Sequence, residues 1–176
     1  LSDTERLNKL VENILLATRI DNRNFELHLE QVDLSDFLEE IIDQAKMIFS
    51  PSQKIEPLIT KGIRAKVDKT AFPSIVINLI ENAIKYSADI SPIKIMLTQE
   101  QNKVILRVVD EGAGIPDDEK ENVFEKFYRV GNEDVRKTKG TGLGLYIVKY
   151  LVRMHNGTIS VKNNTPKGTL FEIIFS

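Results

Sequence analysis

Asn78-Leu79-Ile80-Glu81-Asn82-Ala83-Ile84-Lys85-Tyr86-Ser87 is the stretch on which the reading of this chain turns. It closes a segment in which Phe72, Ile75, Val76, Leu79, Ile80 and Ala83 recur at helical spacing. The spacing predicts a helix capped by Asp68 and running to about Ser87. Asn78, Asn82 and Lys85 then lie at i, i+4 and i+7, in a narrow arc beside the apolar one. An Asn side-chain oxygen is a hard ligand suited to Mg²⁺, and a lysine neutralises phosphate charge. By themselves the three residues read as a solvated helix face. Pro73 stands in the early turns, where it removes a backbone donor and leaves the helix start open.

Two glycine-bearing stretches follow. Val108-Val109-Asp110-Glu111-Gly112-Ala113-Gly114-Ile115-Pro116 ends a strand in an acid and spaced glycines. Such glycines let a backbone pass close to a flat ligand. A carboxylate there can accept a hydrogen bond from an exocyclic amine such as that of adenine. Alone, the stretch also reads as a simple turn. Gly140-Thr141-Gly142-Leu143-Gly144-Leu145 opens a helix, and glycines at a helix N-terminus make an anion site. A flexible hinge is the plainer alternative. No Gly-Lys-Ser/Thr follows, so this is not a Walker A loop, and it does not directly follow a strand as a dinucleotide fingerprint requires.

The rest of the chain supplies alternating elements. Leu7, Leu10, Val11, Ile14, Leu15 and Thr18 mark one narrow stripe on a first helix that ends at the polar turn 21–24. A partner helix and the chain's own domain are equally good covers for that stripe. Phe25 to Gln31 alternates like a half-buried strand, and Asp33 caps a second helix ending near Ser50-Pro51. Strands are predicted at 54–60, 63–67, 93–99, 103–109, 158–162 and 169–175, with a last helix from about Leu143 to His155. Residues 111–141 are polar and aperiodic apart from an apolar island at Val123–Val130, which fits a functional lid or a disordered loop. This order is α+β rather than doubly wound.

Composition excludes several classes. The chain has 176 residues, 24 Lys plus Arg against 26 Asp plus Glu, and a net charge of −2, which argues against a dedicated nucleic-acid or anionic-membrane binder. With no cysteine, disulfides, thiol nucleophiles and Cys-ligated metals are excluded, and two His make a multi-histidine zinc site untenable. No apolar run approaches the roughly 20 residues of a membrane helix. The chain begins at Leu1 rather than Met and reads as a fragment of something longer.

Taken in order, the motifs resemble the GHKL ATP-binding domains, and among them the catalytic domain of bacterial sensor histidine kinases. Asn78 to Ser87 matches the N box, and Asp110 to Ile115 the first glycine box. Val123-Phe124-Glu125-Lys126-Phe127-Tyr128-Arg129-Val130 matches the F box. Gly140 to Leu145 matches the second glycine box, and Gly168-Thr169 the last. The likeness runs from about residue 33 to the end. It implies a two-layer α/β sandwich of the Bergerat type, with a mixed, mainly antiparallel sheet against three helices, preceded by one N-terminal helix. It also implies ATP and Mg²⁺ as cofactors. Asn82 would coordinate the metal, Asn78 and Lys85 would stand near the phosphates, and Tyr86 would line the pocket. Asp110 would hold the adenine amino group, with Gly112, Gly114 and Ile115 beside it. Arg129 would reach the γ-phosphate, with Tyr128 and Lys139 nearby. Gly140, Thr141, Gly142, Leu143 and Gly144 would cradle phosphates, and Thr169 would complete the pocket. Asn78, Lys85 and Arg129 are the catalytic candidates. Phe124 and Phe127 would anchor the lid by packing. His155-Asn156-Gly157 departs from the His-Gly-Gly common in the family, as a tolerated turn change.

The resemblance further implies a division at residue 22. Residues 1–22 would be the second helix of a dimerisation and phosphoacceptor hairpin, and residues 23–176 the ATP-binding catalytic domain. The activity would be transfer of the γ-phosphoryl group to a histidine outside this chain, with a response-regulator receiver domain as partner and a homodimer formed through the hairpin. No nucleic acid would be involved, the domain would be cytoplasmic, and any membrane anchor would lie upstream. His28 and His155 lack the acidic neighbour and helical context of an acceptor, so both are read as structural or solvent-facing. The alternative enzyme is an ATPase of the gyrase, Hsp90 or MutL kind, which places a Glu where Asn78 stands. An Asn cannot serve as that base. A degenerate interaction module without nucleotide is the third reading.

Overall fold

The computed structural model describes residues 3–22, 25–88, 90–131 and 140–176. Its elements are α1 (Asp3–Asp21), β1 (Glu30–Asp33), α2 (Leu34–Phe49), β2 (Ile55–Ile59), β3 (Arg64–Val67) and α3 (Phe72–Tyr86), then β4 (Ile93–Glu100), β5 (Lys103–Val109), α4 (Gly144–Met154), β6 (Gly157–Asn163) and β7 (Thr169–Phe175). Five strands form a sheet in the order β2-β4-β5-β7-β6. β2 and β4 run parallel and the other pairs antiparallel. The helices α2, α3 and α4 cover one face, giving an α+β sandwich of two layers.

The alternation of each strand decides which face is covered. Ile93, Ile95 and Leu97 of β4, Leu106 and Val108 of β5, and Phe171, Ile173 and Phe175 of β7 are buried against the helices. Phe72 sits at the centre with no exposed surface, its ring 6.2 Å from Phe37, 5.9 Å from His155 and 5.9 Å from Phe175. Emptying such a site costs about 3–5 kcal/mol in a packed core. The opposite face carries an ionic ladder instead. Glu172 accepts from Arg107 and from Lys162, both at 2.7 Å, and the two cations hold its carboxyl below the usual range.

Caps and buried polar groups fix the helix positions. The Asp33 side chain accepts the Asp36 N–H and starts α2, as its position in the sequence suggests. Ser35, wholly buried, donates to the Thr60 carbonyl at 2.8 Å and accepts the Ile63 N–H at 3.0 Å, which ties α2 to the β2–β3 turn. Pro73 does not disturb α3. It occupies the first turn, where the lost donor has no helical partner anyway. Asp68 acts just before the helix: its Oδ1 accepts the N–H groups of Thr70 and Ala71, while α3 itself begins at Phe72.

One expectation changes. Phe25–Leu29 is not a strand, since β1 begins only at Glu30. The His28 N–H donates to the Asp68 carboxylate at 2.7 Å, so this stretch is tied by a side chain rather than a ladder while Phe25 and Leu27 still pack on the core. The two strands after α2 belong to different sheets: β2 edges the five-stranded one, and β3 pairs with β1 in a separate two-stranded sheet. On α1 the stripe at Leu7, Val11, Ile14 and Leu15 is exposed, so the chain's own domain does not cover it, and Ala17 and Ile20 on the other side are buried. The Asp21 carboxylate accepts the Tyr146 hydroxyl at 3.0 Å and pairs with Lys126, whose Nζ stands 5.1 Å from the centre of the Tyr146 ring. No described helix is long and apolar enough to cross a membrane.

Candidate functional site

The end of β5 delivers Asp110 into a buried position, 4% exposed. Its Oδ1 accepts the Gly112 N–H at 2.8 Å and the Thr169 N–H at 3.3 Å. The backbones of Asp110 and Thr169 exchange bonds at 2.9 and 3.2 Å, and Asn164 Nδ2 donates to the Asp110 carbonyl at 3.0 Å. Loss of water pushes the Asp110 carboxyl above its ordinary value, and the N–H bonds pull it part of the way back. A side chain at Gly112 would put its Cβ 2.2 Å from the Tyr86 carbonyl oxygen. Only glycine lets the strand end lie against the end of α3. Asn164 escapes a sequence reading because it stands 54 residues from the carbonyl it holds, in a stretch that reads as a turn.

The second glycine stretch meets the α3 arc. α4 starts at Gly144 with no side chain capping its first turn, so its N-terminal N–H groups and helix dipole remain available to an anion. A Cβ at Gly144 would stand 3.0 Å from Asn78 Oδ1, and Asn78 Nδ2 donates to the Ser74 carbonyl at 2.7 Å. Lys85 Nζ lies 4.0 Å from the Cβ position of Gly140 and pairs with Glu81 at 2.9 Å. The side chain of Asn82, half-buried one turn beyond Asn78, makes no hydrogen bond with a described residue. Thr141 Oγ1 accepts the Leu143 N–H at 3.3 Å, and the Leu143 side chain is buried, so Leu143 offers only its backbone.

The F-box residues divide. Phe124 is buried edge-on to Phe171 at 6.3 Å, as expected of a packing anchor. Phe127 is not: its side chain is 66% exposed. Its backbone does the joining. The Phe127 N–H donates to the Gly142 carbonyl at 3.0 Å, and at Gly142, with φ +71°, a Cβ would fall 2.6 Å from the Phe127 carbonyl carbon. The Tyr128 hydroxyl donates to Glu119 at 3.0 Å, and burial and that acid push its pKa up. Arg129 is half-buried and has a partner of its own. Lys139 lies outside the described residues.

Neither histidine joins this cleft. His28 is exposed at its side chain. His155 is buried at the end of α4, with Nδ1 donating to the Leu151 carbonyl at 2.7 Å and Nε2 accepting the Asp68 N–H at 3.1 Å. Burial holds its pKa below the ordinary value. Among the described residues no group of three or more His, Cys, Asp or Glu could hold a metal. An amide oxygen such as that of Asn82 suits a Mg²⁺ held chiefly by phosphate oxygens and water.

Comparison with known proteins shows the family and the fold. The family described as histidine kinase-, DNA gyrase B- and HSP90-like ATPase matches residues 67–176. The signal transduction histidine-protein kinase ArlS of Staphylococcus aureus is 30% identical over 175 residues, 99% of this chain and 39% of ArlS. The chain thus spans about two fifths of the length of that curated relative. The mycobacterial sensor histidine kinase MprB aligns with a TM-score of 0.73 at 28% identity, covering 84% of this chain and 97% of that one. The Acinetobacter baumannii histidine kinase AdeS gives 0.75 at 26% identity, over 98% and 79%. Full-length ShkA, in a complex with AMPPNP, shares the fold with a TM-score of 0.82 at 23% identity, over 97% and 35%. The matched segment holds α3, both glycine stretches and Asp110, and this chain belongs to the histidine kinase-, DNA gyrase B- and HSP90-like ATPase family.

Proposed function

We propose that this chain is the ATP-binding catalytic part of a two-component sensor histidine kinase, with residues 23–176 as the nucleotide domain and residues 1–22 as part of the dimerisation and phosphoacceptor hairpin. One observation carries the choice of kinase over ATPase. The side chain facing the phosphate-loop helix from α3 is the amide of Asn78, already donating to Ser74, and not a carboxylate able to take a proton from water. Asp110 receives the adenine amino group, with Gly112, Gly114, Ile115 and Tyr86 along the base. The N-terminal N–H groups of α4, the backbone from Gly140 to Gly144, and Lys85 neutralise the phosphate chain. Asn82 holds Mg²⁺, which supplies charge neutralisation at the phosphates when bound. Arg129 and Tyr128 approach the γ-phosphate from the F box, and Thr169 keeps Asp110 in place.

The acceptor histidine belongs to another segment. α4 carries His155 about 16 Å away from Gly144, at 1.5 Å per residue, and His28 is tied by its backbone to Asp68. The exposed face of α1, with Leu7, Val11, Ile14 and Leu15, is the natural seat of the hairpin's partner helix and of a second copy of the protein. A response-regulator receiver domain takes the phosphoryl group next, on the cytoplasmic side of a membrane-anchored parent protein. The test is incubation of the chain with γ-labelled ATP and a separate hairpin carrying an acceptor His. Acid-labile label on the hairpin and none on the chain is expected. Release of free phosphate without transfer would favour the gyrase-like ATPase instead.

A further inference from the structure

A cavity of about 390 Å³ lies at the end of the molecule away from the glycine boxes. Val104 lines it from the start of β5, whereas Asp110 follows the other end of that strand, about 20 Å away at an extended rise. α4 repeats the separation: Gly144 opens the helix at the phosphate loop, and His155, its C-cap, lines the cavity. The volume is in the range of small-molecule sites.

The charged side chains that line this cavity, Arg64 and Lys66, are both cationic, and Ser176, the last residue of the sequence, also lines it. Arg64 and Lys66 alternate along β3, so both side chains stand on one face. Neither forms an ion pair with a described residue. The lysines on either side of them do: Lys61 pairs with Asp36 and Glu39, and Lys69 with Glu30. No Asp or Glu among the described residues lines the cavity. Amide donors surround the two cations. Gln31 stands opposite Lys66 in the β1–β3 register, and Asn102 and Asn156 stand at the rim. Asn156 adopts φ +59°, a left-handed backbone that Asn takes more readily than other side-chain-bearing residues. It is also the position at which the chain departs from a glycine pair, so an amide is present where glycine would leave none. Val104 and Phe175, both nearly fully buried, give the cavity an apolar floor.

We infer that this cavity binds a small organic anion, its phosphate or carboxylate held by Arg64 and Lys66 with the amides around them, and its apolar body resting on Val104 and Phe175. A guanidinium presents paired N–H donors to such a group, and charge-assisted bonds of this kind are the strong ones. The site adjoins the nucleotide helix, since His155 on its floor accepts the N–H of Asp68, whose carboxylate holds the turn leading into α3.

The experiment is an NMR titration of the whole chain, with AMPPNP present at saturating concentration, against phenyl phosphate and against inorganic phosphate. Phenyl phosphate is expected to shift the amide signals of Ala65, Asn102 and Asn156 saturably while those of Asp110 and Gly112 stay fixed, and to bind more tightly than inorganic phosphate. The exposed pair Arg64→Gln with Lys66→Gln is expected to weaken that binding about tenfold or more, with the thermal melt unchanged. Shifts that do not saturate, an unchanged affinity in the double variant, or inorganic phosphate binding as tightly would each overturn the inference. Failure of AMPPNP to bind would count against the nucleotide site alone.

Discussion

Asp110→Asn separates binding from stability at one atom. The carboxylate is buried, and loss of water raises its pKa above the ordinary value, so the fold disfavours its charge. A raised carboxyl pKa means the folded state holds the proton more tightly than the unfolded chain, and this contribution to stability is lost as pH rises through the folded value. At neutral pH the charge is therefore a burden. Asn keeps the shape and an oxygen to accept the Gly112 and Thr169 N–H groups. The variant should melt no lower than the parent and somewhat higher at pH 7. Nucleotide binding moves the other way. A charged acceptor facing the adenine amine becomes an amide whose NH₂ faces another donor. Losing a charge-assisted hydrogen bond costs about 1.5–3 kcal/mol, so AMPPNP affinity should fall about tenfold to a hundredfold. Calorimetric titration and a thermal melt on the same samples check both halves. Undiminished affinity, or a melting temperature that drops, would show that the carboxylate serves the fold and not the base.

Asn82→Ala should weaken Mg²⁺-dependent AMPPNP binding with little change in the melt, because the amide has no hydrogen bond to a described residue; a cooperative loss of folding would refute this. His155 has a pKa lowered by burial, so the unfolded chain binds its proton first and stability should fall as pH drops below 6.5; the slope, read from melts between about pH 7.5 and pH 5, should flatten in His155→Gln. Burial and then Asp21 push the Tyr146 hydroxyl up to about 12, so Asp21→Asn should return it part of the way toward 10 in a spectrophotometric titration, burial keeping the remainder.

Local chemistry on the chain determined most of the elements. The 3.6-residue apolar repeat of α2 and α3, the Asp33 cap and the alternation of β4, β5 and β7 are nearest-neighbour properties, and they appear in the structure where the sequence places them. The order of the boxes likewise leads to the expectation that Asn78, Asp110 and Gly140–Gly144 share a site, and the structure sets Gly144 against Asn78, Gly140 near Lys85 and Gly112 against Tyr86, the three partners all on α3. Contacts between distant residues decided what remained. Phe25–Leu29 alternates like a strand, yet a single bond to Asp68, 40 residues away, replaces the ladder. Phe127 is expected to anchor the lid by packing and is exposed, because its N–H is committed to Gly142 and its φ of +61° turns the backbone there. The stripe on α1 leaves its cover open between a partner helix and the chain's own domain, and which of two apolar arcs faces α4 depends on where Tyr146 and Lys126 stand to receive Asp21. The pairing of Arg64 and Lys66 with Asn102 and Asn156 around one cavity has no local signal either, since it exists only once β3, β5 and the end of α4 are folded together. Periodicity records how a residue relates to its neighbours within a turn or a pleat, whereas these choices were settled by groups tens of residues apart competing for the same donors and the same space.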